Sequence, residues 1–136
     1  AITRDPQKGQ AKALAARGAE VVKADQDDVE SLKRAFAGAY GAYCVTNFWE
    51  HFSAEKETTQ ARNLAAATEA AGVSHVIWST LEDTRTLMSS GDKRMPMLQG
   101  KYRVPHFDAK ADADHEALSH IANTVDAILA KLEAKA

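Results

Sequence analysis

Few side chains in this sequence have the type and spacing that chemistry asks for, and each also has a plainer reading. His115-Glu116 with His120 invites a zinc site. Zinc, however, needs histidines at i and i+4 on one helical face, and i, i+5 neighbours lie about 140° apart at ~3.6 residues per turn. These read as surface histidines, and no metal site is assigned. Cys44 is the one cysteine; its apolar neighbours supply neither base nor cation, so it reads as a small buried core residue. Arg4 follows a short strand-like run, where a guanidinium can bond a phosphate bidentately. The alternative is a solvated arginine beside Asp5. His106 stands four residues before Lys110, which sets a proton-transfer group close to a cation.

The elements that must position these groups come from one modest chain. Its 136 residues and 14.7 kDa suit a single hydrophobic core, so one domain spanning 1–136 is expected. The 45% hydrophobic and 26% charged fractions are ordinary for a globular protein, and no run approaches the ~20 apolar residues of a membrane span. A formal net charge of -2 with mixed signs offers no basic stripe for direct nucleic-acid binding. A lone cysteine leaves no disulfide framework, which fits a reducing, cytoplasmic setting. Ala1-Ile2-Thr3-Arg4 has no apolar targeting region and no initiator Met. The chain opens inside what reads as the end of a strand, and a fragment, a processed product or missing preceding residues is the expectation.

Along the chain, Pro6 ends the opening strand, and Ala11, Leu14, Ala15 and Gly18 read as a short helix with a glycine stop. Glu20 to Ala24 is a β-branched run leading into Asp25-Gln26-Asp27-Asp28, where Asp27 or Asp28 can cap a helix carrying Leu32, Ala35 and Phe36 and ending near Gly38. Ala42 to Thr46 reads as a strand buried on both faces in a parallel sheet. After the turn Asn47 to Glu50, Ser53 can cap a long Ala-rich helix with acids in its first turn and an end at Ala71-Gly72. Ser74 to Ser79 reads as a fourth strand. Alternating strands and helices indicate βαβ crossovers in a parallel sheet. From Thr80 to Pro105 the periodicity fails, and a long loop is expected. From Phe107 onward, Leu118, Ile121, Val125, Ile128 and Leu132 mark an amphipathic helix suited to cover sheet surface.

In this order the pieces resemble the NmrA-like family of atypical short-chain dehydrogenase/reductases. The matching stretches are Thr3-Arg4-Asp5-Pro6, Gly18 to Val22 with Asp25 to Asp28, Gly38-Ala39-Tyr40, Val45 to Glu50, Ala71-Gly72-Val73, Ser79 to Asp83 and Val104 to Lys110. The Asn47-Phe48-Trp49-Glu50 turn and the His106-Phe107-Asp108-Ala109-Lys110 block are the most diagnostic. The blocks cover residues 1 to about 112; residues 113–136 have no confident match. Family members begin with a strand and a Gly-x-x-Gly-x-x-Gly turn that receives the cofactor pyrophosphate. This sequence contains neither. The fold implied is a Rossmann-like α/β parallel sheet with flanking helices, lacking the first strand and glycine-rich turn.

The resemblance implies a cofactor, NADP, with weak or absent binding by this chain alone. It places Arg4 at the 2′-phosphate, Asp25, Gln26 and Asp27 at the adenine side, Thr46, Asn47, Phe48 and Trp49 at the nicotinamide ribose, and Lys110 as the cation that holds that ribose. The competing readings are helix capping for the first turn and plain core for the aromatics. Relatives in the superfamily pair a strand-end Ser with Tyr-x-x-x-Lys, which maps onto Ser79 and Lys110, with His106 where the phenol would be. An imidazole beside a cation is a poor substitute as proton donor, so Ser79, His106 and Lys110 are weak catalytic candidates. Tyr102 lies in the expected loop at the wrong spacing.

The function implied is NADP(H)-dependent regulation or redox sensing without catalysis. The alternatives are an NADPH-dependent quinone or carbonyl reductase and a remnant that binds no cofactor. In a Rossmann order of 3-2-1-4-5 the absent strand is central, so each half-sheet would keep a bare inner edge. An unpaired edge recruits another strand. The expectation is a strand donated by a partner protein or a second copy, direct pairing of the Arg4 and Thr46 strands, or residues beyond this sequence. Two separate half-sheets would count against the strand assignment.

Overall fold

The computed structural model describes residues 1–89, 91–98 and 100–114. Within them the chain runs β1 (Ile2–Thr3), α1 (Gly9–Ala16), β2 (Val22–Lys23), α2 (Val29–Phe36), β3 (Gly41–Cys44), a 3₁₀ turn (Phe48–Glu50), α3 (Ala54–Ala70), β4 (His75–Trp78) and α4 (Thr84–Leu87). A last helix, α5, occupies residues 105–114 of the described chain. The architecture is Rossmann-like α/β, as the order of elements implies.

Local chemistry sets the helix ends. Asp28, in extended backbone, accepts from the Glu30 and Ser31 N–H groups and starts α2, and Ser53 accepts from the Lys56 N–H and starts α3. Just past α1 and α3, Gly18 at φ 89° and Gly72 at φ 66° adopt the left-handed backbone that ends a helix with little strain. Helix α5 opens with Pro105, which gives up no hydrogen bond in a first turn. Its Asp108 carboxylate reaches back to the Arg103 and Val104 N–H groups and also accepts from the Thr84 N–H and hydroxyl.

Strands β1 and β2 pair in parallel, Ile2 opposite Val22 and Thr3 opposite Lys23. Strands β3 and β4 pair in parallel from Gly41 opposite His75 to Cys44 opposite Trp78. One core joins the two sheets. Leu32 and Phe36 of α2 pack with Leu64 and Ala67 of α3, Ala24 and Cys44, and half-buried Val76 and Trp78 lie against them. Helices α2 and α3 also pack on each other. A second cluster joins Phe48, Ala54, Tyr102 and Ala109, binding α5 to the turn after β3.

Three expectations are corrected. The Arg4 and Thr46 strands do not pair: among the described residues there are two two-stranded sheets, β1 with β2 and β3 with β4. The strands lie where the sequence placed them; their separation into two sheets counts against assigning them to one continuous sheet. The α2–α3 layer and side-chain amides tie the sheets together where a backbone ladder was expected. The third strand is not buried on both faces, because Tyr43 is 66% exposed and Val45 is exposed as well, while Cys44 faces the core. Finally, the stretch after Thr80 is not a plain loop. Asp83 caps α4, and Leu98 and Tyr102 form an isolated bridge; Tyr102 itself is core. The seam of Leu118, Ile121, Val125, Ile128 and Leu132, together with His115, Glu116 and His120, lies outside the described residues. Among the described residues no helix is long and apolar enough to cross a membrane.

Candidate functional site

The strongest gathering of polar groups lies past the ends of β3 and β4. Thr46 is buried two residues after β3, and Lys110, 9% exposed, reaches it from α5. The Lys110 ammonium donates to the Thr46 hydroxyl at 3.2 Å, to the Thr46 carbonyl at 3.4 Å and to the Ser79 carbonyl at 3.4 Å. It thereby clasps the carboxyl ends of both strands, the edge at which open α/β sheets bind ligands. Ser79 takes part through its backbone, with its N–H donating to the Cys44 carbonyl at 2.9 Å.

Two residues the sequence reading missed complete this cluster. Glu57, with no solvent exposure, accepts from the Thr46 hydroxyl and lies 3.6 Å from the Lys110 ammonium. His51 Nε2 faces the other Glu57 oxygen at 3.7 Å. In sequence, Glu57 reads only as one of the acids in the first turn of this helix. Its place on the α3 stripe with Ala54, Ala61 and Leu64, at helical spacing, was the available signal.

Phe48 is buried, with its ring at 5.6 Å from Trp49, 6.0 Å from Phe52 and 5.7 Å from His106. His106 lies 4.8 Å from Trp49 and 4.8 Å from Phe107, so it belongs to an aromatic cluster one helical turn from Lys110. The outer members Trp49 and Phe52 are exposed, as is Asn47. Phe52, at φ 54°, carries a left-handed backbone that a bulky residue seldom adopts, and its N–H donates to the Phe48 carbonyl at 2.8 Å.

Arg4 stands at the end of β1, where its guanidinium is bound to the Glu50 carboxylate. That hydrogen bond, with Asp25 and Asp27 nearby, raises the affinity of the guanidinium for its proton. Asp25 accepts from the Asp27 N–H at 3.0 Å. Gln26 donates to the Val45 carbonyl at 2.9 Å, and its own carbonyl accepts from Asn63 at 2.8 Å. Of the two possible caps, Asp28 performs that role. Asp27 instead accepts from Gln60 at 2.9 Å and pairs with Lys56 at 2.8 Å, which holds its carboxyl below the usual range. Cys44 is buried, and burial pushes its thiol up to about 11.

The structure thus brings Thr46, Ser79 and Lys110 together, sets Phe48 and His106 beside them, and ties Gln26 to the same edge through Val45. The sequence profile of the NmrA-like family matches residues 1–129, further than the diagnostic blocks reach. An NmrA-like family domain-containing oxidoreductase of Cladobotryum sp., FrzB, is 32% identical over 114 residues, covering 81% of this chain and 34% of its own length. Among solved structures, that of NmrA, a negative transcriptional regulator, superposes with a TM-score of 0.66 at 21% identity, over 87% of this chain and 33% of its own. The NADPH-dependent quinone oxidoreductase QOR2 of Escherichia coli, solved with NADPH, has a TM-score of 0.53 at 26% identity, over 82% and 35%. The chain spans about a third of the length of each. On the extent of the profile match, with the order of its elements in agreement, this chain belongs to the NmrA-like family.

Proposed function

We propose that this chain forms part of the NADP(H) site of an NmrA-like protein with a regulatory or redox-sensing role. In this reading Lys110 and Thr46 hold the nicotinamide-side ribose, with Asn47 and Phe48 beside it, and Arg4 takes the 2′-phosphate. The observation that carries it is the buried Lys110 ammonium at the carboxyl ends of β3 and β4. Arg4 occupies the corresponding end of β1. Its partner Glu50 is about half exposed, and an exposed ion pair is worth only about 0–1 kcal/mol, so a phosphate dianion can displace that carboxylate. The donor set suits the ribose ends of a phosphorylated dinucleotide, while none of the described residues forms a glycine-rich cradle for pyrophosphate. NADPH supplies a hydride to a reductase, and to a sensor it supplies an occupant that alters association with a partner protein.

A binding role is favoured because His106, at the spacing of the superfamily phenol, is packed among aromatic rings. The second reading, an NADPH-dependent reductase of quinones or carbonyls, draws support from the oxidoreductase relative. NADPH oxidation assayed with a panel of quinones separates the two. The sensor reading predicts no turnover above the protein-free rate, and sustained turnover supports the reductase.

The edges of β1 and β3 that lack a partner among the described residues suit completion by a partner protein or a second copy, because unpaired edges recruit strands. Sedimentation across a range of concentrations tests the homo-oligomer; a monomer throughout would leave a partner protein or residues beyond this sequence.

A further inference from the structure

We propose that Glu57 is a positioning residue for Lys110, a buried carboxylate that fixes the ammonium at the carboxyl ends of β3 and β4. A carboxylate on a core-facing helical stripe is costly unless it is paired and hydrogen-bonded. Glu57 sits on that stripe in α3, fully buried, one helical turn from Ala61. Its two oxygens are divided among three partners. Oε1 accepts from the Thr46 hydroxyl and faces Lys110 Nζ at 3.6 Å. Oε2 faces His51 Nε2 at 3.7 Å, beyond hydrogen-bond reach, and neither atom has a hydrogen-bond partner among the described residues.

The imidazole is aimed. His51 Nδ1 accepts from the Ser53 N–H at 3.1 Å, so a neutral ring carries its proton on Nε2, toward Glu57. Among the described residues, the remaining polar contacts of Lys110 are with neutral oxygens of Thr46 and Ser79. Glu57 therefore supplies the negative charge that holds the ammonium in place, and Thr46 bridges the two. Its consequence, an ammonium set in advance for a ribose, rests on the NADP(H) reading. The contact itself rests on geometry.

Lysine acetylation of the full chain by limiting acetic anhydride at pH ~8, read by peptide mass spectrometry, tests the proposal without nucleotide. In Glu57→Gln, Lys110 should label severalfold faster, because an ammonium released from the carboxylate that holds it reaches the reagent more freely. Lys12 and Lys23 should keep their rates and thermal unfolding should stay cooperative. An unchanged Lys110 rate overturns the proposal, and so does an equal rise at all three lysines, which marks a loosened fold. Should Glu57→Gln fail to fold, Thr46→Val, which removes the bridging hydroxyl, must also speed labelling of Lys110 selectively; an unchanged rate there overturns it. NADPH added to the unsubstituted chain tests the underlying reading separately. Slower labelling of Lys110 supports that reading. Unchanged labelling beside an intact Glu57→Gln effect removes the ribose role and leaves the positioning role standing.

Discussion

The side-chain amide of Gln26 donates to the Val45 carbonyl at 2.9 Å, tying the turn after β2 to the chain just past β3. Asn63 and Gln60, both on α3, reach the same turn through the Gln26 carbonyl and the Asp27 carboxylate. Three amide side chains thus join two sheets that share no ladder. Their removal tests whether this matters. Gln26→Ala should lower stability by about 0.5–1.5 kcal/mol, the net worth of a typical hydrogen bond, seen as a lower urea midpoint at unchanged slope. An unchanged midpoint would mean that the contact contributes nothing.

Strands of two and four residues leave helix packing to carry most of the stability. Leu64→Ala, at a 4% exposed position beside Leu32 and Phe36, should cost about 2–5 kcal/mol. That is a large part of the ~5–15 kcal/mol expected of a whole domain. Leu14→Ala on exposed α1 surface should cost under about 0.5 kcal/mol. Denaturant unfolding of the two variants checks the contrast, and equal losses would mean that the core is misplaced.

Cys44 gives stability a pH dependence of known sign. Burial raises its thiol from 9.0 to about 11, so above pH 9 the unfolded chain ionises first and gains relative to the folded one. The contribution is fully present below pH 9 and lost as pH rises toward 11, at ~1.4 kcal/mol per pH unit. Cys44→Ala should flatten that fall, measured as the difference in unfolding free energy between about pH 8 and about pH 10.5. An identical fall in both proteins would contradict the burial argument.

Helix and strand positions were largely legible because local signals set them. Asp28 and Ser53 cap, Gly18 and Gly72 stop, and β-branched runs mark strands. Lys110 and Thr46 were singled out through family resemblance, though they lie 64 residues apart and meet only in three dimensions. Glu57 and His51 escaped because a buried ion cluster has no local sequence signature beyond a charge on an apolar stripe. The exposure of Tyr43 escaped for a related reason: an apolar run does not say which of its faces will be covered. Asp108, in sequence only part of a motif, anchors α4 through contacts 24 residues away and also holds the Arg103 and Val104 N–H groups just before α5.

His106 is packed against Phe48, Trp49 and Phe107, and an aromatic replacement keeps that packing. His106→Phe should leave any NADPH-dependent reductase rate nearly unchanged. A fall of about 10²-fold or more, the scale of lost general acid catalysis, would make His106 a proton donor after all.

The central claim is that the edge formed by Arg4, Thr46 and Lys110 takes a phosphorylated dinucleotide. Residue-resolved NMR titration of the chain with NADPH and with NADH tests it most directly. The account predicts NADPH binding weaker than about 1 μM, since none of the described residues cradles the pyrophosphate. Shifts should centre on Arg4, Thr46, Ser79 and Lys110, and the preference for NADPH over NADH should vanish in Arg4→Ala. NADH bound as well as NADPH, or shifts that leave Thr46 and Lys110 untouched, would contradict it.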